Sequence, residues 1–187
     1  MVIEPQAVRY RSELTPEGFR IVIPVRRNWF ILLFICAWLG GWVFGESSAS
    51  RQLIAGSDRT PVAFLSFWLL AWTMGGVFAL ATVLWQLAGR EILTISPTIF
   101  SYRAEAFGLG RTRSYRAADV RALRLSAYSA SYFTQQRNWL PPIVGSGFGP
   151  IAFDYGARTF RFAPSLDEAE AKLLINDLAP RLPNGVG

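Results

Sequence analysis

The sequence predicts a membrane α+β protein in which a two-helix transmembrane hairpin precedes an antiparallel β domain that ends in one α-helix. The hairpin is predicted by two long apolar runs, residues 29–44 and residues 61–89, neither of which contains a charged side chain. Each run can cross hydrocarbon without burying an ion. The β domain is predicted by the change after Arg90 to short alternating segments separated by turns, a pattern typical of antiparallel strands.

The chain therefore divides into an N-terminal segment (residues 1–27), the hairpin (28–89) and the β domain (90–187). Within the hairpin we expect helices over about residues 28–45 and 62–88, joined by an external loop over residues 46–60. At a rise of about 1.5 Å per residue the helices span roughly 27 Å and 40 Å, so the second must tilt or emerge from the bilayer. A cleaved signal sequence is disfavoured, because the first run is long for a signal and a second span follows it.

Basic residues are distributed unevenly around the two apolar runs. Those that flank the predicted pair of helices on the side of the termini are Arg9, Arg11, Arg20, Arg26, Arg27, Arg90 and Arg103. In the connecting loop, Arg51 and Arg59 are balanced by Glu46 and Asp58. Because Lys and Arg near short spans favour the cytoplasmic side, the distribution predicts that both termini are cytoplasmic.

Small residues recur at four-residue spacing in both predicted helices. The candidates for helix packing are Ala37, Gly41, Gly45, Ala71, Gly75 and Ala79. Small side chains let helix backbones approach closely within a bilayer. In an antiparallel hairpin Ala37 is level with Ala71, which leaves Gly75 opposite the bulkier Leu33, so one stripe can serve a helix of another protein or of a second copy. The alternative is that glycine is simply common in membrane helices.

The β domain is predicted from six alternating segments and one amphipathic helix. The expected strands cover residues 91–96, 99–107, 111–116, 120–128, 151–155 and 158–162. Ser165 and Glu168 have the spacing of a capping box and predict a C-terminal helix over about residues 166–179. The β-prone residues 19–24, before the first span, either lie along the membrane surface or add a strand to this sheet.

Several short segments resemble the bacterial pleckstrin-homology-like (PH-like) membrane proteins. The similarity is carried by residues 89–96, 107–115, 119–124, 156–162 and the helix start at residues 166–171, within a region from about 28 to 182. The resemblance implies a PH-like β-barrel or sheet with a C-terminal helix, attached to a transmembrane hairpin in the bacterial inner (cytoplasmic) membrane. It carries no catalytic residues.

The composition excludes several common kinds of catalytic and metal-binding site. The chain has no histidine and one cysteine, Cys36, which excludes a Ser-His-Asp triad, a Cys-His pair and the commonest zinc sites. The glycines near residue 147 are not followed by a helix that would present its N-terminus to a phosphate. We therefore expect a protein that is not an enzyme and has no cofactor or bound metal.

Two surfaces of the β domain are candidates for binding. Anionic lipid headgroups or an acidic partner can meet Arg103, Arg111, Arg113 and Arg116. The alternative is an ordinary solvated face. A partner can also meet the long loop of residues 129–150, which contains Tyr132, Phe133, Trp139, Leu140, Ile143 and Phe148. Alternatively, this loop folds over the barrel mouth or dips into the bilayer surface.

These features predict a non-catalytic integral membrane adaptor or accessory subunit. It would associate with other membrane proteins, or with copies of itself, through its helices and its PH-like domain. The alternative is a membrane-tethered module that senses anionic lipid. Nucleic acid is not expected as a partner despite the net charge of +6, because the arginines lack an interleaved aromatic stacking pattern.

Overall fold

The computed structural model describes residues 8–56, 62–126 and 149–184. The chain forms two compact units, one made of Arg27–Leu87 and the other of Met1–Arg26 together with Ala88–Gly187. The predicted order of two long apolar helices, antiparallel sheets and a C-terminal helix is confirmed. The N-terminal segment belongs to the same unit as the β domain.

The first unit contains helices α1 (Trp29–Ala55) and α2 (Val62–Ala88), both long and apolar enough to cross a membrane. The side chain of Asn28 caps α1 by accepting a hydrogen bond from the Ile31 amide, and Gly56 ends the helix in the left-handed conformation. The helix α1 thus continues about ten residues past the predicted end at residue 45, into the predicted loop 46–60. Charge ends the apolar run at residue 46, but the following residues include good helix formers.

The second unit contains a five-stranded antiparallel sheet in the order of the chain. Its strands are β1 (Arg11–Thr15), β2 (Gly18–Pro24), β3 (Gly89–Ile95), β4 (Ile99–Ala106) and β5 (Leu109–Arg116). Strand β2 pairs with β3, Phe19 lying opposite Ile95 and Pro24 opposite Arg90. Of the two alternatives for residues 19–24, the structure therefore has the added strand and not the segment along the membrane surface.

A separate three-stranded sheet follows a short 3-10 turn at Ala117–Asp119. Its strands are β6 (Val120–Leu125), β7 (Ile151–Tyr155) and β8 (Arg158–Phe162). Within the described residues no strand pair joins the two sheets, so of the predicted barrel or sheet the described part has two open sheets and no closed barrel. Residues 127 and 128, predicted to extend β6, lie outside the described residues.

The core of this unit lies between the two sheets and helix α3 (Glu168–Leu178). Phe100 of the first sheet packs edge to face against Phe153 and Phe162 of the second, with ring centroids 5.3 and 5.8 Å apart. Leu174 and Leu178 of α3 are fully buried in the same cluster. Burial of these apolar side chains is the main source of stability for such a fold.

The capping box of α3 lies two residues later than the sequence predicted. Asp167 is the N-cap, its side chain accepts from the Glu170 amide at 2.9 Å, and the Glu170 side chain returns a bond to the Asp167 amide. The predicted box of Ser165 and Glu168 is therefore wrong. The Ser165 hydroxyl is unavailable for capping because it donates to the buried carboxylate of Glu91.

Candidate functional site

The two long helices contact each other through tryptophan and glycine. The indole Nε1 of Trp42 donates to the carbonyl oxygen of Trp72 at 3.0 Å. A Cβ on Gly76 would overlap the Trp42 ring, whereas one on Gly45 would meet the Trp72 ring at an ordinary 3.8 Å. Gly76 is therefore the glycine whose missing side chain makes room for the opposite helix.

The predicted small-residue stripes face mostly away from this contact. Ala37 and Gly41 of α1 and Ala71 and Gly75 of α2 are exposed, and a Cβ on either glycine would meet nothing within 4 Å. Of the six predicted packing residues, Gly45 lies in the hairpin contact and Ala79 is half-buried.

Gly76, the main small residue of the contact, was missed. Four-residue spacing selects its neighbour Gly75, and nothing else in the sequence distinguishes two adjacent glycines. The spacing rule identifies a face on which helices can approach, but it does not identify the helix that approaches it.

The helix pair also contains a carboxylate that was expected in the connecting loop. The hydroxyl of Thr73 donates to Glu46 Oε1 at 2.7 Å. The other carboxylate oxygen of Glu46, Oε2, is buried and accepts no hydrogen bond from the part of the chain that the structure describes. The buried Trp72 Nε1 likewise finds no acceptor among these residues. Glu46 lies about 25 Å along α1 from Trp29. A half-buried ionisable group thus lies between helices that were predicted to have none.

A charged cluster occupies one end of the five-stranded sheet. Glu105 is only 5% exposed, and it forms ion pairs with Arg90 and Arg103, each at 2.5 Å. Desolvation raises the pKa of Glu105, but the hydrogen bonds from the two guanidinium groups outweigh it and hold the pKa below its ordinary value. Arg103 also donates to the carbonyl of Gly108 at 2.9 Å and so braces the β4–β5 turn.

The four arginines proposed to bind lipid do not form one face. Across β4 and β5, Arg103 and Arg116 share one side of the sheet, and Arg111 and Arg113 share the other, as strand alternation requires. Arg113 is half-buried, and its charge lowers the pKa of Tyr102 and Tyr115 against the larger raising effect of burial. Arg111 and Arg116 are exposed and have no ion-pair partner among the described residues. These two are the free cations of the predicted set.

A buried carboxyl group that the sequence reasoning did not single out lies in the domain core. Glu91 is fully buried, and it accepts hydrogen bonds from Ser165 Oγ at 2.5 Å and from the Tyr102 hydroxyl at 3.2 Å. Burial is the dominant effect and raises the pKa of Glu91 to about 7, although both hydrogen bonds lower it. Strand parity is a signal that could have found it, because Glu91, Leu93 and Ile95 alternate onto one side of β3.

The N-terminal segment is held to α3 beside this group. Arg9 Nε donates to Glu170 Oε1 at 2.7 Å, and Arg9 Nη2 donates to the Ser165 carbonyl at 3.1 Å. Desolvation raises the pKa of Glu170, but the bonds from Arg9 and from the backbone bring it below the ordinary value. This network joins the segment before the first helix to α3 and to Ser165 just before it.

One predicted binding surface lies outside the part of the chain that the structure describes. The predicted partner-loop residues Tyr132, Phe133, Trp139, Leu140, Ile143 and Phe148 all lie outside the described residues. In the ranges that are described, His, Cys, Asp and Glu side chains form no group of three able to hold a metal ion.

Comparisons of the chain with protein-family models, with curated proteins and with solved structures found no match. The structure itself shows two apolar helices, two antiparallel sheets and a C-terminal helix. The resemblance to PH-like membrane proteins therefore stays a prediction, and a functional assignment must come from the surfaces described above.

Proposed function

We propose that the protein is a non-catalytic adaptor or accessory subunit integral to the bacterial inner membrane. In this proposal α1 and α2 cross the bilayer as a hairpin with both termini in the cytoplasm. The β domain is a PH-like module that remains tethered there. Membrane-protein partners, or a second copy of the chain, would contact the helices and the β domain.

The observation that carries this proposal is the outward position of the predicted small-residue stripes. Ala37, Gly41, Ala71 and Gly75 are exposed on the helix pair, and the space beside both glycines is open for at least 4 Å. The hairpin uses Gly76 for its own contact and leaves these positions free. Backbone surfaces of this kind favour close helix association in a bilayer, where packing drives assembly.

The test is co-purification of the tagged full chain, expressed at its native level and extracted in a mild detergent. Mass spectrometry of the wild-type material is expected to identify a stoichiometric complex with another membrane protein. Gly41→Leu and Gly75→Leu should reduce recovery of that complex several-fold. Val43→Leu is the control, since it enlarges the side chain by one methylene group at another exposed position of α1.

Recovery of the wild-type chain alone, as a monomer or only as a self-oligomer, would contradict the adaptor proposal. So would a complex that both glycine variants retain at wild-type stoichiometry. Equal loss with Val43→Leu would mean that bulk anywhere on α1 is disruptive, which also removes the special role given to the small-residue stripe.

A second candidate function, anionic-lipid sensing, is favoured by the exposed Arg111. This side chain lies on β5, next to the turn that joins β4 to β5, and is available for a headgroup phosphate. Arg111→Glu should lower the ratio of anionic to zwitterionic lipid that co-purifies with the chain, whereas reversal at the exposed Arg158 should not. Arg111→Glu should leave a helix-mediated complex intact, so the two functions are separable.

A further inference from the structure

The β4–β5 turn lies at the end of the five-stranded sheet that is connected to both long helices. Gly89, the first residue of β3, pairs with Ala106, and Ala106 pairs with Leu109. On the other side of β3, the Val25 amide donates to the Gly89 carbonyl at 3.2 Å. The β4–β5 turn therefore lies at the same sheet end as Val25 and Gly89.

Covalent connection ties this sheet end to the apolar helices. Gly89 directly follows Ala88, the last residue of α2, and Val25 precedes the N-cap residue Asn28 by only three positions. The 27 residues of α2 extend about 40 Å, roughly the thickness of a bilayer with its headgroup regions, so an α2 that crosses the bilayer ends with Gly89 close to the bilayer surface. Adjacent strands are about 4.8 Å apart, which puts the β4–β5 turn roughly 10 Å from β3.

The turn carries large apolar side chains where turns usually carry polar ones. Phe107 is 68% exposed and Leu109 is 82% exposed. Phe107 and Gly108 both have positive φ, 54° and 79°, as a two-residue type I′ turn requires, and the favoured sequence for that turn is Asn-Gly. Phenylalanine is therefore in a backbone conformation that disfavours it, and its exposed ring has little packing within the domain to compensate.

Arginine flanks the two apolar side chains on both strands. Arg103 on β4 is held toward the turn by its bond to the Gly108 carbonyl, and Arg111 on β5 is exposed. An aromatic ring with neighbouring guanidinium groups matches the boundary of an anionic bilayer, where rings enter the headgroup region and cations meet phosphates. We infer that the β4–β5 turn inserts Phe107 and Leu109 into the surface of the bilayer that α1 and α2 span, with Arg111 at the headgroups.

This inference rests on the proposed membrane placement of the helices, and its test measures both. The full chain is reconstituted in nanodiscs of phosphatidylethanolamine and phosphatidylglycerol that carry a nitroxide quencher on the acyl chains. A small fluorophore is attached to Leu109→Cys in a Cys36→Ala background. Leu14→Cys is the matched control, because Leu14 is 88% exposed and belongs to the opposite end of the sheet, where it pairs with Phe19.

The native Cys36 of α1 is exposed and provides the internal standard for lipid contact. We expect strong quenching of a fluorophore at Cys36, and several-fold stronger quenching at Leu109→Cys than at Leu14→Cys. Quenching at Cys36 with equally weak quenching at Leu109→Cys and Leu14→Cys would overturn the inference and leave the membrane hairpin standing. Absence of quenching at Cys36 would refute the membrane placement and the inference together.

A second variant tests whether the phenylalanine ring drives insertion. Phe107→Asn suits the type I′ turn better than the native residue, so loss of the fold is not expected. It should weaken quenching of the fluorophore at Leu109→Cys while leaving that at Cys36 unchanged. Undiminished quenching in Phe107→Asn would contradict insertion of the ring.

Discussion

At the scale of single residues, Glu91 shows how burial changes the chemistry of a group that looks ordinary in the sequence. Its carboxylate lies among apolar core residues and is bound by two hydroxyl groups from β4 and from the segment before α3. Burial makes the charged form costly, which is why its pKa rises to about 7. The domain therefore holds a carboxyl group that titrates near neutral pH in its core.

This titration predicts a pH dependence of stability. Between the ordinary pKa of 4.5 and the folded value of about 7, the folded state holds a proton that the unfolded state has released, so stability falls as the pH rises through that interval. The free energy of unfolding is expected to fall by about 3 kcal/mol over this pH interval. Glu91→Gln cannot ionise and should flatten the fall.

The measurement is the thermal unfolding midpoint of the full chain in detergent between pH 5 and pH 7.5. The carboxylates with lowered pKa, Glu105, Asp154 and Glu170, act with the opposite sign. The stability that they contribute to the fold is lost as the pH falls through their folded pKa values, which lie below this pH range. Parallel pH profiles for wild type and Glu91→Gln would refute the assignment.

Phe107 gives a second prediction at the residue scale, this time for stability alone. A left-handed backbone costs an ordinary L-residue about 1–2 kcal/mol, and asparagine tolerates it better. Phe107→Asn should raise the free energy of unfolding by up to about 1 kcal/mol in detergent, where no bilayer surface is present to receive the phenylalanine ring. Leu109→Asn, at a residue with ordinary backbone angles, is the control and should give no gain. A lower midpoint for Phe107→Asn would show that the ring is packed in solution.

At the scale of elements, two adjacent glycines of α2 have different surroundings. Gly76 admits the Trp42 ring of the opposite helix, while its neighbour Gly75 faces open space. The missing side chain of Gly76 thus makes room for a helix of the same hairpin, whereas the space beside Gly75 is open to a helix from another chain. The outward position is the one on which the adaptor proposal depends.

The adjacent glycines make a matched pair of substitutions. Gly76→Val places a side chain where the Trp42 ring lies and should destabilise the helix pair by about 1–3 kcal/mol, as overpacking does. Gly75→Val has open space and should leave the hairpin at wild-type stability. Midpoints of unfolding in SDS titrations, followed by tryptophan emission, measure both. Equal midpoints for the two variants would contradict the contact between Trp42 and Gly76.

At the scale of the whole molecule, the coarse architecture follows from patterns in the sequence, and its details depend on long-range contacts. The second helix, at residues 62–88, and the strands at residues 151–155 and 158–162 match the structure. Each is bounded by a local signal, such as a turn or a charged residue. The last ten residues of α1 were missed because a charge ends an apolar run without ending a helix.

The positions that decided the candidate sites were harder to predict. The Ser165 capping box was wrong because that hydroxyl is taken by Glu91, 74 positions away in the chain. The four candidate arginines were treated as one face, whereas strand alternation divides them between two. The pairing of β2 with β3, which spans both long helices, was one of two open alternatives because a single β-prone segment does not specify its neighbour.

The adaptor proposal requires that α1 and α2 cross a bilayer with both termini on the same side. It is tested by single cysteines in a Cys36→Ala background, treated with a membrane-impermeant maleimide in intact and then in permeabilised spheroplasts. Gln52→Cys, near the end of α1, should react in intact spheroplasts. Arg11→Cys and Asn184→Cys should react only after permeabilisation. Labelling of all three before permeabilisation, or of Gln52→Cys only after it, would contradict the hairpin and its orientation.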